Sequence, residues 1–283
     1  MALFIVFTGT VGYVLGEASG YGSSIGVWVF IASIAYSFIS YFYSDKMVLA
    51  ASGAREIKKS DDPELYRIVE NLSIGDGVPM PRVYIIRDAS PNAFATGRDP
   101  KHAAVAVTTG ILERLNKAEL EGVLAHELSH VKNFDTRLLA ITAVMIGFIS
   151  LITDLFLRNL IFGGFRGNDD DRDSRLQMIF LIMGVVLAIL APIIASLIQL
   201  AISRKRELLA DASGVLLTRY PEGLASALEK ISKDPKPLDS ATTATAHLYI
   251  VNPFKQGSFK NMLANLFSTH PPIAERIKIL RSM

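Results

Sequence analysis

Two stretches of this chain, Ser23 to Tyr43 and Leu176 to Ile202, carry no charged side chain over about 20 residues or more, enough helix to cross a hydrocarbon layer of about 30 Å. Half of all residues are hydrophobic and only 20% are charged. With a mean hydropathy of +0.34 the chain is too apolar for an ordinary soluble domain. Residues Ala2 to Gly16 and Leu138 to Phe162 are read as two further spans. The first has no Lys or Arg ahead of its apolar run, which argues against a cleaved signal peptide. The second contains Asp154 and Arg158, which stand at i and i+4 and can pair near a helix end. The sequence thus predicts a mainly α, integral membrane protein of about four transmembrane helices.

Basic residues near the spans set the orientation. Lys46, Arg55, Lys58 and Lys59 follow the second span, Lys132 and Arg137 precede the third, and Arg204, Lys205 and Arg206 follow the fourth, whereas Glu17 to Gly22 has neither Lys nor Arg. The basic side is expected to face the cytoplasm, in the cell membrane. The organisation is then two N-terminal spans in 1–43, a first cytoplasmic part in 44–137, two spans in 138–202 around an outside loop at 163–175, and a second cytoplasmic part in 203–283. The acidic run in that loop reads as solvated, since it lacks the Gly and Glu positions of a calcium-binding loop. The absence of cysteine agrees with a reducing compartment. A net charge of +2 gives no case for nucleic acid.

Within the first cytoplasmic part lies His126-Glu127-Leu128-Ser129-His130. Positions i and i+4 of an α-helix point almost the same way, so the two imidazoles can grip one metal ion. Glu127, about 100° round the axis, misses the coordination shell but stays close enough to act as a general base. The competing reading is a solvated amphipathic helix. Val123, Leu124, Leu128 and Val131 count against it, because they set the histidines beside a buried face.

A catalytic zinc takes three protein ligands and keeps one position open, so one more ligand is required. Glu207 is the candidate. Asp211, one turn on, could accept the free N–H of a ligating histidine and fix its tautomer. Read alone, the segment Arg204 to Asp211 could equally be a charged juxtamembrane helix pairing its own acids and bases. Chain geometry favours the ligand: the His126/His130 helix is expected to run into the third span, and the fourth to emerge as the Glu207 helix. At 1.5 Å per residue, His130 lies about 12 Å from Leu138, and Glu207 about 8 Å beyond Ile202. Both then sit at one depth near the bilayer, which predicts membrane proteins or membrane-presented polypeptides as substrates.

The remaining soluble sequence should form an α+β domain. Asp62-Pro63 reads as an N-cap followed by proline at the first helical position, with Leu65, Ile68, Val69 and Leu72 on one face. Arg82 to Arg87, Asn92 to Thr96 and Ala103 to Thr108 read as three short strands, expected to make a small antiparallel sheet. Asn116 and Glu119 form a capping-box pair at the start of the His126/His130 helix. Lys233 to Ser240, with two prolines, reads as a surface loop.

These motifs, together with Ser268-Thr269-His270-Pro271-Pro272 and Glu275-Arg276, resemble the HtpX-like membrane metallopeptidases, relatives of the Ste24-type CAAX prenyl peptidases, over nearly the whole chain. The resemblance implies a zincin-like zinc endopeptidase of the cytoplasmic membrane that cleaves misfolded membrane proteins. One zinc ion per chain would be held by His126, His130 and Glu207. It implies Asp211 as the aspartate behind a ligand, His270 and Arg276 as polar groups facing the reacting carbonyl, and Asn92-Ala93-Phe94-Ala95 as an active-site edge strand. Read physically, such a strand could add an extended substrate by backbone hydrogen bonding, or could be an ordinary sheet strand with Phe94 in the core. Without the resemblance, His270 reads as a turn residue and Arg276 as a surface charge. The alternatives are a prenyl-protein peptidase and a catalytically silent scaffold with structural zinc, closed by His247 or His270 as a fourth ligand.

Overall fold

Asp62 caps the helix that Pro63 opens: its side chain accepts the Leu65 N–H at 3.0 Å, and Gly77, at φ +71°, ends the helix in the left-handed region. The computed structural model describes residues 5–6, 23–142, 144, 204–234, 238–242, 245–251 and 271–283. Two compact units divide the chain, one of Met1–Tyr43 with Met145–Ile194 and one of Ser44–Val144 with Ala195–Met283. The elements are α1 (Ser23–Ala51), β1 (Arg55–Glu56), α2 (Pro63–Asp76), β2 (Arg82–Ile86), β3 (Ala93–Thr96), β4 (Ala104–Thr108), α3 (Thr109–Arg114), α4 (Lys117–Lys132), α5 (Arg204–Thr218), α6 (Pro221–Ser232) and α7 (Ile273–Leu280).

The sheet departs from the antiparallel expectation. Its order is β1-β2-β4-β3, with β4 antiparallel to β3 but parallel to β2, so the sheet is mixed. A parallel pair needs a crossover, and β3 with its flanking turns supplies it. Those turns carry Gly97 at φ +139° and a short 3₁₀ turn at Pro100–His102 capped by Asp99. The sequence pattern fixed the strands but not their order, because strand direction follows from which strand is inserted between which.

Helix α4 is the buried centre of the second unit. Its N-terminus is closed by a full capping box: Asn116 Oδ1 accepts the Glu119 N–H at 3.0 Å, and Glu119 Oε2 accepts the Asn116 N–H at 2.8 Å. One side of α4 packs with Val69, Val83, Val105 and Val107 into a single core. The other side meets α5 and α6. Gly122 permits the crossing with α6, since a Cβ there would lie 2.7 Å from the Leu224 nitrogen.

Contrary to expectation, α4 does not run on unbroken toward residue 138. It ends at Lys132, Phe134 takes φ +60°, and helix resumes at 135. A positive φ in a bulky side chain is costly and marks a fixed break.

Helix α1 covers the apolar run 23–43 and continues to Ala51. Its pattern inverts that of a soluble helix: Trp28, Ile31, Ile34 and Phe38 are exposed while Ser37, Ser40 and Ser44 are buried. Nevertheless, among the described residues no helix qualifies as both long and apolar enough to cross a membrane. Of the other expected spans, 2–16 and 138–162 lie mostly, and 176–202 wholly, outside the described residues, as do the 163–175 loop and His270.

Candidate metal centre

Helix α4 delivers His126 and His130 from adjacent turns, and the first turn of α5 delivers Glu207 against them. The imidazoles stand edge to face with centroids 4.8 Å apart. Their Nε2 atoms are 3.2 Å apart, His130 Nε2 lies 3.4 Å from Glu207 Oε1, and His126 Nε2 lies 3.7 Å from Glu207 Oε2. Tetrahedral ligands held about 2.0–2.1 Å from a zinc ion stand about 3.3 Å from one another, so the two imidazole nitrogens and the Glu207 carboxylate fit one zinc ion. One candidate atom from each residue falls within 4.8 Å of the others, and all three residues are buried.

The surrounding charges fit a cation as well. Four carboxyl groups, Glu127, Asp135, Glu207 and Asp211, are buried here; Asp135 pairs with Arg206, and Glu207 and Asp211 pair with Arg276. With both histidines neutral, a divalent cation would supply positive charge to the carboxylates that these two guanidinium groups leave uncompensated. Burial pushes the His126 pKa down to about 4, aided by Arg276 and His130 and opposed by Asp211, so its ring is neutral, as a metal ligand must be. At His130 burial acts in the same downward direction but is outweighed by Glu207, Asp135 and Glu127, which push the ring up to about 9. In the absence of metal, His130 is thus the cation that these carboxylates draw.

Each histidine is held from behind. Asp211 Oδ1 lies 2.9 Å from His126 Nδ1, and Asp135 Oδ2 lies 3.1 Å from His130 Nδ1. Such contacts fix which nitrogen faces a metal. Arg276, fully buried, holds Asp211 in turn through Nε at 2.8 Å and Nη2 at 2.6 Å. Burial pushes the Asp211 carboxyl up, but the Arg276 and His126 contacts outweigh it and hold it well below the usual carboxylate range. Arg276 is therefore no surface charge. Nη1 donates to the Ile250 carbonyl at 3.3 Å, so most of the guanidinium is engaged in holding Asp211 and the 245–251 segment.

Glu127 points to the sheet. Its Oε2 accepts the Ala95 N–H at 2.8 Å, and burial, with the nearby Glu207 carboxylate, pushes its pKa up to about 8 against His130 and that Ala95 bond. A carboxyl poised near neutrality suits proton transfer.

Strand β3 is an edge strand, but its residues are not open. Asn92, Ala93, Phe94 and Ala95 are all buried. Phe94 packs against Tyr249 with ring centroids 5.1 Å apart, so it serves the core. The Ile250 N–H donates to the Ala93 carbonyl at 3.1 Å, and Asn92 Nδ2 donates to the Val251 carbonyl at 3.0 Å. The segment 245–251 thus covers one end of the edge, leaving the Ala95 end beside Glu127.

Sequence reasoning missed Asp135 and Gly214. On an unbroken helix Asp135 would lie about 140° round the axis from His130, so the spacing hid it. A Cβ on Gly214 would lie 3.1 Å from the His126 nitrogen and 3.3 Å from its Cα, which marks the closest approach of α5 to α4. A glycine one turn beyond Asp211 was the available signal.

A buried pair of histidines on one helix, a glutamate from a second helix, and an adjacent carboxyl tied to a sheet edge define a metallopeptidase-type centre. Residues 59–283 match peptidase family M48. The chain is 46% identical over 283 residues to a protease HtpX homolog of Tropheryma whipplei, covering 100% of this chain and 94% of that one. It is 49% identical over 258 residues to a protease HtpX homolog of Dictyoglomus thermophilum, covering 90% and 82%. The crystal structure of S. mikatae Ste24p shares the fold, with a TM-score of 0.52 at 17% identity over 99% of this chain, which spans 64% of that one. The chain belongs to peptidase family M48. It is a zinc metalloprotease with polypeptide substrates, built on a mainly helical fold with a small mixed sheet.

Proposed function

We propose that this protein is a membrane-bound endopeptidase whose zinc is held by His126, His130 and Glu207, and that it removes misfolded or damaged membrane proteins from the cytoplasmic side. The observation that carries the site is the convergence of the three ligand atoms within 4.8 Å, with Glu127 in the next position of the same helix. Zinc at that point supplies Lewis acidity at the scissile carbonyl. Glu127 takes a proton from the attacking water and returns it to the leaving amine, while the Ala95 N–H keeps its carboxyl turned to the strand. The Ala95 end of β3 aligns an extended substrate through its backbone, which selects conformation more than sequence. Arg276 acts through Asp211, and support of the carbonyl oxygen falls to His270.

Placement in the membrane is supported by the apolar runs and by α1, whose exposed face is apolar while its buried positions include serines. An open fourth position would mark a catalytic site, and a fourth protein ligand a structural one.

The test uses full-length protein in proteoliposomes. Glu127→Ala should retain zinc and lose cleavage, whereas Glu207→Ala should lose both. Normal turnover by Glu127→Ala would dispose of the base. Equal cleavage of a soluble unfolded polypeptide and a destabilised membrane protein would remove the substrate assignment while leaving the peptidase.

A further inference from the structure

Thr136 and Asp135 begin the helical stretch that follows the break at Phe134, and Asp135 is only 7% exposed. Its two oxygens do different things. Oδ2 meets His130 Nδ1 at 3.1 Å, while Oδ1 pairs with an Arg206 guanidinium nitrogen. Arg206 immediately precedes Glu207 on α5. One carboxylate therefore touches the ring of one proposed ligand and the neighbour of another, from a different helix.

The break is what makes this contact available. Continued as an ideal helix, residue 135 would point about 140° away from residue 130. With Asn133 ending α4 and Phe134 at φ +60°, the chain turns back and the Asp135 side chain reaches the His130 ring. The turn is pinned from the far side: the Thr136 hydroxyl donates to the Gly97 carbonyl at 2.9 Å, and Arg137 Nε donates to the Arg98 carbonyl at 2.6 Å. A strained residue kept in place by surrounding bonds is the usual mark of a segment with a positional task.

We infer that Asp135 is a positioning residue of the metal centre, one that fixes the His130 ring and, through Arg206, sets the start of the helix carrying Glu207. The inference rests on the zinc-ligand reading given above. With Asp211 behind His126 and Asp135 behind His130, each imidazole receives its own carboxylate partner, and both Nε2 atoms are left to face the same point. Arg206 neutralises the carboxylate that would otherwise be buried without a cation partner when His130 is neutral and metal-bound.

The experiment measures zinc affinity of the full-length protein by competition with a chromophoric chelator, and the visible spectrum of the cobalt-substituted form, in wild type, Asp135→Asn and Arg206→Gln. Removal of such a carboxylate lowers metal affinity by about 10–100-fold, and that loss is expected for Asp135→Asn, with a changed cobalt spectrum. Arg206→Gln, at a side chain 48% exposed, should fold normally and show a smaller loss in the same direction. Wild-type affinity and spectrum in Asp135→Asn would overturn the inference. Should that variant not fold, an unchanged affinity in Arg206→Gln overturns it instead. A wild-type protein that takes up no zinc at all defeats the parent metal-site reading, a different outcome from tight binding in all three proteins.

Discussion

The backbone N–H of Ala95 donates to Glu127 Oε2 at 2.8 Å, so the residue placed to move the proton is fastened to the strand placed to align the substrate. Base and strand are one unit. Glu127→Gln keeps an amide oxygen able to accept that N–H but has no carboxylate to take a proton. Turnover should fall by about 10²–10⁴-fold, the usual contribution of a positioned acid–base group. Zinc content and thermal stability should match wild type, as metal analysis and unfolding scans would show. A simultaneous loss of zinc would mean that Glu127 holds the metal.

Arg276 makes the second prediction. It is fully buried, and it places two nitrogens on Asp211 and a third on the Ile250 carbonyl. Arg276→Met keeps the apolar stem and leaves Asp211 buried with His126 as its neighbouring partner. Breaking one side of a buried ion pair costs about 3–5 kcal/mol. Arg276→Lys should recover only part of that, because a single ammonium cannot reproduce the two-nitrogen contact. Denaturant unfolding of the metal-free protein separates the three forms. Equal midpoints in all three would show that Asp211 finds another partner.

How much of this was legible in the sequence depends on the range of each interaction. Local signals reported faithfully: the Asp62-Pro63 start, the Asn116/Glu119 box and the 126–130 spacing all act within one turn, and each forms in the structure. The nearness of Glu207 and Asp211 to the histidines followed from reasoning about chain entry and exit, and the two residues do lie against His126 and His130. What failed to show was set by tertiary context. The β2–β4 pairing is parallel because β3 was placed outside β4, a choice that no single strand encodes. Asp135 was hidden because its position depends on one residue, Phe134, adopting a backbone state that propensity disfavours. Phe94 was balanced between edge and core, and Tyr249, 155 residues on, settled it.

The start of the metal-bearing helix is sensitive to acid. Burial pushes the Glu119 carboxyl up, but hydrogen bonds from Lys230, Asn116 and Ser226 outweigh it and hold its pKa below the ordinary 4.5. A depressed folded value means that the contribution is fully present above about pH 4.5 and is lost as pH falls through the folded pKa. Glu119→Gln should therefore unfold more easily than wild type at pH 7, and the gap should narrow as the solution is acidified from about pH 4.5 through the folded pKa. Asn116→Ala, which removes only the capping oxygen, should cost about 1 kcal/mol at either pH. A gap between Glu119→Gln and wild type that did not change with acidification would show that packing, not charge, fixes this residue.

Gly214 decides how closely the two ligand helices approach. Replacing a helical glycine by alanine ordinarily stabilises by about 0.5–1 kcal/mol, because the unfolded chain has less freedom to lose. Here the new methyl would meet the His126 nitrogen at 3.1 Å and its Cα at 3.3 Å, and backbone atoms at a helix centre cannot swing aside as a side chain can. Overpacking of that kind costs about 1–3 kcal/mol, so the unfavourable effect wins. The relief open to the protein is to move α5 outward, which carries Glu207 away from the two Nε2 atoms. Gly214→Ala should therefore lower stability modestly and zinc affinity clearly, with Gly214→Val worse on both counts. Gly75 offers the control: there a new methyl would meet only the Leu217 Cδ1 at 3.1 Å, a side-chain end that can turn away. Gly75→Ala should leave zinc affinity unchanged, and an equal loss in both alanine variants would show that helix spacing does not govern the site.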